Sequence, residues 1–225
     1  MVQLRLVGLS VGRGDRTLIE GLDLALPSGQ ALVIKGRNGA GKTTLLRTIA
    51  GFLSPLAGAI ALERVAGTAA SGSFCADPDA AVAENAHYVG HHNAIKPTLT
   101  ASENLMFWSR YLDPEKAVAA GHEATIALGR VGLAALHAIP AAYMSAGQRR
   151  RLSLARLLVA RRPLWLLDEP TVSLDAEGTG MLATLVAEHC AAGGIVLAAT
   201  HIELELQETR ELRLGGSGEG SWALS

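Results

Sequence analysis

Gly36-Arg37-Asn38-Gly39-Ala40-Gly41-Lys42-Thr43 is the stretch that decides the fold. It fills every specified place of the eight-position pattern G-x-x-x-x-G-K-[ST]. The apolar run Gln30-Ala31-Leu32-Val33-Ile34-Lys35 leads into it, and behind it Thr43 to Ala50 has helical spacing and meets Gly51, a natural helix stop. Strand, glycine loop and helix thus follow in the order that cradles a triphosphate. The glycines let successive N–H groups turn inward, and the helix points its positive dipole end at the anion. Gly36, Arg37, Asn38, Gly39, Ala40, Gly41, Lys42, Thr43 and the adjoining Thr44 are therefore the expected nucleotide-binding residues. Lys42 would reach the β- and γ-phosphates and Thr43 would offer a hydroxyl to Mg²⁺. An ordinary Gly-rich turn leaves Lys42-Thr43 unexplained.

Working outward, Leu164-Trp165-Leu166-Leu167-Asp168-Glu169-Pro170 is an apolar strand ending abruptly in two acids. That places both carboxylates at a sheet edge, where a metal and a water must be held. Asp168 is the expected Mg²⁺ partner of Thr43. Glu169 would point toward the γ-phosphate and polarise the attacking water. A D-E pair alone is more readily a turn or cap; after a buried strand, in a chain with a phosphate loop, the catalytic reading is preferred.

The 225-residue chain, 49% apolar, suits one globular unit, or one domain with a subdomain, and can bury a sizeable core. Its longest apolar runs, Leu164 to Leu167 and Ile195 to Ala199, fall far short of the roughly 18 residues that span a bilayer. The start, Met1 to Val7, alternates like a strand and lacks a secretory pattern, which points to a cytoplasmic protein. Cys75 and Cys190 read as ordinary thiols. A net charge of −1 gives no drive toward nucleic acid. The one basic concentration, Arg149 to Arg151 with Arg156, Arg161 and Arg162, reads equally well as a solvated face or as a group near phosphate.

Residues 64 to 86, rich in Ala, Gly, Ser and Asp, suggest a loop. Residues 101 to 138 are mostly helix formers, broken near Asp113-Pro114 and Gly132, and suggest an inserted helical subdomain. Strands at Leu164 to Leu167 and Ile195 to Ala199 flank a helical Gly178 to Cys190, the alternation of a mainly parallel sheet. The tail Gly215 to Ser225 is Gly/Ser-rich and reads as peripheral.

Ser145-Ala146-Gly147-Gln148-Arg149-Arg150-Arg151 opens a helical stretch in which Leu152, Ala155, Leu158 and Val159 share one stripe and Arg149, Ser153 and Arg156 another. A Ser and a Gly at a helix start make a second anion site. Met144-Ser145-Ala146-Gly147-Gln148 resembles the L-S-G-G-Q segment of ABC ATPases, departing from it at Met144 and Ala146, and stands 20 residues before Asp168, where that family has it. Ser173-Leu174-Asp175 resembles the family's D-loop, and His201, just after the Ile195 to Ala199 strand, its switch histidine.

The resemblance implies an α/β, P-loop NTPase fold with a mainly parallel core sheet, an N-terminal antiparallel β region and an inserted helical subdomain. It implies a single nucleotide-binding domain over 1–225, with its core at about 1–90 and 160–212 and its helical subdomain at about 93–158. It further implies an ATPase using ATP and Mg²⁺, two copies packed head to tail. The glycine loop of one copy and Ser145, Gly147 and Gln148 of the other would then enclose each nucleotide. His201 would contact the γ-phosphate, and Asp175 would link the two sites. Integral membrane subunits are implied as partners, at the cytoplasmic face of the inner membrane, and nucleic acid is not.

Two departures stand out. The family's usual glutamine before the helical subdomain aligns with His92 in Tyr88-Val89-Gly90-His91-His92-Asn93-Ala94-Ile95. An imidazole can hydrogen-bond a water but offers no carbonyl oxygen to a metal. As a transition-metal pair, His91-His92 is disfavoured because neighbours on a strand face opposite ways. The family's adenine-stacking aromatic is also missing from positions 11 to 16, where Arg13 or Arg16 could stack instead.

Of the nine aromatic residues, three each of Trp, Tyr and Phe, Phe107, Trp108 and Tyr111 fall within five positions. They read either as the helical subdomain's own core or as the patch that, in ABC proteins, receives a membrane subunit. Gly90 to Lys96, Leu99 to Leu105 and Ser145 to Gln148 together resemble the haem-exporter ATPase family of bacterial cytochrome c maturation. That implies work on a haem chaperone, with haem handled by partners. Alternatives are the ATPase subunit of another ABC transporter with a different cargo, a soluble ABC ATPase acting on ribosomes or DNA, a phosphotransferase, and a non-hydrolysing regulatory module.

Overall fold

The computed structural model describes residues 1–14, 16–64, 81–200, 209–215 and 220–225, the side chains of 116–118 aside. His201, Cys75 and most of the 64–86 stretch lie outside the described residues. The chain divides into two units. One comprises Met1–Tyr88, Arg162–Pro170 and Leu185–Ser225, and the other Val89–Arg161 with Thr171–Thr184.

In the first unit, β1 (Val2–Arg13) alternates buried and exposed positions, as a strand with one face on the core must. It pairs antiparallel with β2 (Arg16–Pro27) and later with β4 (Ala57–Arg64), giving a three-stranded sheet ordered β2-β1-β4. Between them run β3 (Ala31–Gly36) and α1 (Lys42–Ile49), the strand and helix around the glycine loop. Leu45, Leu46 and Ile49 of α1 are buried with Leu4, Leu6, Leu22, Leu26, Leu32 and Ile34 in one core cluster.

Composition predicts a loop over 64–86, and the described ends of that stretch differ: Arg64 closes β4, Val82–Asn85 forms a 3₁₀ turn and Ala86 opens β5 (Ala86–Val89). Arg162 Nη1 donates to the Ala83 and Ala86 carbonyls at 3.1 Å each, satisfying backbone that small residues alone would not order.

The second unit is helical: α2 (Ala101–Leu112), α3 (Ala120–Arg130) and α4 (Ala146–Ala155). α2 and α4 start with reciprocal capping boxes, Thr100 with Glu103 and Ser145 with Gln148, each filling two otherwise orphaned donors.

The chain continues through β6 (Leu164–Asp168), α5 (Ala176–Ala191), β7 (Ile195–Ala199), β8 (Thr209–Leu214) and β9 (Trp222–Leu224). The larger sheet is ordered β5-β6-β7-β3-β8-β9, parallel from β6 to β8. β6 and β7 are buried at every position, which explains their continuous apolar sequence. The end of the Gly/Ser-rich tail is not loose: β9 pairs antiparallel with β8, and Trp222 Nε1 donates to the Glu20 carbonyl at 3.1 Å.

The register positions the site. Ala199 of β7 pairs with Asp168 on one side and with Ile34 on the other. The acid at the end of β6 is therefore level with the residue two before Gly36, where the glycine loop leaves β3.

Candidate functional site

In the first unit the glycine loop is built as its composition requires. Gly41 caps α1 at φ 105°, in the left-handed region, and a Cβ there would stand 3.1 Å from the Leu18 Cβ. Arg37, Asn38 and Gly39 form the exposed tip. Lys42 is buried, and its Nζ donates to the carbonyls of Gly36 at 2.7 Å and Arg37 at 3.4 Å, so the ammonium sits within the loop itself. Thr44 follows on α1, its carbonyl accepting from Thr48 Oγ1 at 2.9 Å.

Across β7, Thr43 Oγ1 donates to Asp168 Oδ1 at 3.0 Å. Asp168 is 1% exposed, so its carboxylate depends on such donors. Its other oxygen, Oδ2, accepts from the Tyr88 hydroxyl at 3.1 Å, and Arg47 Nε donates to that same hydroxyl at 3.4 Å. Burial pushes the Tyr88 phenol up, opposed by Arg47 and helped by Asp168, so Tyr88 is a donor at neutral pH. Tyr88 in turn raises Arg47. Sequence reasoning passed over both residues; only the adjacency of β5 and β6 brings Tyr88 to the acid.

Glu169 has φ 48°, uncommon for a residue with a Cβ, while its N–H donates to the Ala199 carbonyl at 2.8 Å. A residue with a Cβ persists in this conformation only where its surroundings hold it there.

In the second unit, Ser145, Gly147, Gln148, Arg151, Ser173 and Asp175 line one pocket of about 350 Å³. Ser145 Oγ accepts from Gln148 N at 3.1 Å and keeps its own hydroxyl proton to donate. Gln148 Oε1 is turned back onto Ser145 N at 2.8 Å. Gly147 has a steric reason: a Cβ there would stand 3.0 Å from the Ser173 carbonyl oxygen. Ser173 has φ 68°. Asp175 Oδ1 accepts from Gly178 N and from Arg151 Nη2, both at 2.8 Å. The Gly178 N–H first, and then Arg151, hold the Asp175 carboxyl below the usual carboxylate range.

His91 and His92 are exposed in a bend beyond the end of β5. Strand alternation therefore does not govern them; among the described residues no group of three or more His, Cys, Asp or Glu could hold a metal. Arg13 and Arg16 are exposed and pair across the β1–β2 hairpin.

The basic concentration is not uniform: Arg150 and Arg156 are buried, Arg149 and Arg151 are half-buried, with Arg151 lining the pocket of Ser145 and Gly147, and Arg161 is exposed. Arg150 is 3% exposed, and of the expected polar stripe Ser153 is fully buried and Arg156 8% exposed while Arg149 is half-buried, so most of that stripe faces inward. Arg149 donates to the Met144 carbonyl, Arg150 to Gly90 and Asn93, and Arg156 to Asn93. Periodicity could not reveal this, because a guanidinium satisfied by loop carbonyls reads the same in sequence as a solvated one.

The sequence pattern of the ABC transporter family matches residues 19–172. A cytochrome c biogenesis ATP-binding export protein CcmA of Rhodopseudomonas palustris is 50% identical over 93% of this chain and 96% of its own length. Those of Nitrobacter winogradskyi and Agrobacterium fabrum are 49% and 44% identical, over 93% and 96% of this chain. Among solved structures, an ATP-binding subunit of an ABC transporter superposes with a TM-score of 0.78 over 98% of this chain and 89% of the other, at 21% identity. A putative ABC transporter ATP-binding protein from Pyrococcus furiosus gives 0.71 over 93% and 96%, also at 21% identity.

Proposed function

The chain belongs to the ABC transporter family as an ATP-hydrolysing member, among the cytochrome c biogenesis ATP-binding export proteins, and on that premise we propose how its residues do the work. One domain carries both units. ATP lies on Gly36 to Thr44, with Lys42 at its β- and γ-phosphates. Thr43 and Asp168 hold Mg²⁺; a hydroxyl 3.0 Å from a carboxylate oxygen is a hard-oxygen donor set that fits this ion. When bound there, the ion would supply charge neutralisation to the phosphates.

Glu169 orients and polarises the attacking water and accepts its proton as the γ-phosphoryl group is displaced. His92 and His201 assist from the γ-phosphate side. A second copy, packed head to tail, brings Ser145, Gly147 and Gln148 to the nucleotide, where the Ser145 hydroxyl and the start of α4 meet the anion. Asp175 lies at that contact. The exposed groove of Leu99, Met106, Phe107 and Tyr111 receives integral membrane subunits at the cytoplasmic face of the inner membrane. The export step serves a haem chaperone on the far side.

The contact between Thr43 and Asp168 carries this reading, because it joins the glycine loop and the strand-end acid into one metal-competent pair. Glu169→Gln tests the chemistry. It should retain MgATP binding and lose phosphate release by about a hundredfold or more. Undiminished turnover would remove Glu169 from its role.

A further inference from the structure

The turn from Gly90 to Ala94, which carries His92, is held from the helical unit by side chains the proposed mechanism does not use. Arg150 Nη1 donates to the Gly90 carbonyl at 2.7 Å and to Asn93 Oδ1 at 3.2 Å. Arg156 Nη1 donates to the Asn93 carbonyl at 3.1 Å. Trp108 Nε1 donates to the Ala94 carbonyl at 3.0 Å, and the Arg156 guanidinium lies 4.0 Å over the Trp108 ring. Three side chains, one from α2 and two from α4 and its end, thus converge on five residues.

The turn needs them. Ala94 has φ 50°, a left-handed conformation that strains a residue with a Cβ and persists only where its surroundings over-determine it. Stability alone does not account for the clamp. Arg156 is 8% exposed with its Nε buried and lacking a hydrogen-bond partner, and burial draws its pKa down to about 10. An apolar side chain of similar volume would pack there without that cost. What an apolar residue cannot do is direct the Asn93 carbonyl while stacking on an indole.

We propose that Trp108, Arg156 and Arg150 are positioning residues for the ATPase reaction, fixing the Gly90–Ala94 turn so that His92 is presented in one geometry. The inference rests on the reading that this chain hydrolyses ATP with His92 near the nucleotide. Trp108 also meets Phe107 and Tyr111 edge-on, with centroids at 5.5 and 5.8 Å, so the exposed aromatic cluster and the turn share one ring.

The test is a graded series, Trp108→Phe, Trp108→Ala and Arg156→Lys. Steady-state ATP hydrolysis, thermal midpoint and hydrogen–deuterium exchange over residues 90–95 are read on each full-length variant. Trp108→Phe keeps a ring under the guanidinium and loses only the N–H; Trp108→Ala loses both. The expected result is kcat falling along the series, by about tenfold at Trp108→Ala, while KM for ATP stays within about twofold. Exchange in the turn should rise in step and the thermal midpoint of Trp108→Phe should hold.

Unchanged kcat and unchanged exchange in Trp108→Phe and Trp108→Ala would overturn the proposal. So would kcat, KM and thermal midpoint deteriorating together, since that is structural damage. If Arg156→Lys fails to fold, the two Trp108 variants decide. If the wild type does not hydrolyse ATP, the functional reading fails, while the exchange comparison still decides whether the turn is clamped.

Discussion

Asp168 is fixed by two hydroxyls on opposite oxygens, Thr43 on Oδ1 and Tyr88 on Oδ2. Removing the Tyr88 contact would loosen the Oδ2 side of the carboxylate that the proposed mechanism gives to Mg²⁺. Tyr88→Phe should therefore weaken Mg²⁺-dependent ATP binding by about tenfold, the worth of one hydrogen bond to a charged group, and leave ATP binding in chelator nearly unchanged. Calorimetric titration with and without Mg²⁺ checks this; equal losses in both would assign Tyr88 to general packing. The glycine loop and the strand-end acids were legible in sequence as local patterns, and the structure brings Thr43 and Asp168 together. Tyr88 was not legible there, because its role arises from strand order, which no short pattern encodes. Nor were the buried arginines, whose partners are oxygens 57 to 63 residues away.

At the scale of elements, the helical unit rests on well-made helix starts. Thr100 Oγ1 accepts from Glu103 N at 3.2 Å, so Thr100→Ala should cost about 1 kcal/mol of stability, measurable as a lower urea midpoint. The Thr100 N–H, and then its hydroxyl, hold the Glu103 carboxyl below its ordinary 4.5. A depressed carboxylate stabilises the fold above its unfolded value and stops doing so as pH falls through its lower folded value. The gap in midpoint between wild type and Glu103→Ala should accordingly be full at neutral pH and close as pH drops below 4.5; a gap independent of pH would rule out the charged form. Most elements were legible from periodicity. The ends of the 64–86 stretch and the tail were not, because β5 and β9 are short strands whose stability comes from neighbours in the sheet rather than from their own sequence.

At the scale of the molecule, no helix among the described residues is long and apolar enough to cross a membrane, and the proposed function couples the chain to transport through a surface. The groove on α2 has the composition for it, with Phe107 at 39% and Tyr111 at 69% exposure and Lys96 4.7 Å from the Phe107 ring. Tyr111→Asp should sharply reduce the integral membrane proteins that co-purify with the tagged chain from native membranes. Undiminished co-purification would move docking elsewhere.

The central claim is that one copy's glycine loop and another's Ser145 segment close on the same ATP. Glu169→Gln saturated with MgATP should run at twice the chain mass by light scattering, with two ATP per dimer, and adding Ser145→Arg should return it to single chains that still bind ATP. A fully ATP-loaded Glu169→Gln that stays monomeric at high protein concentration, alone and with its membrane partners, would contradict the account.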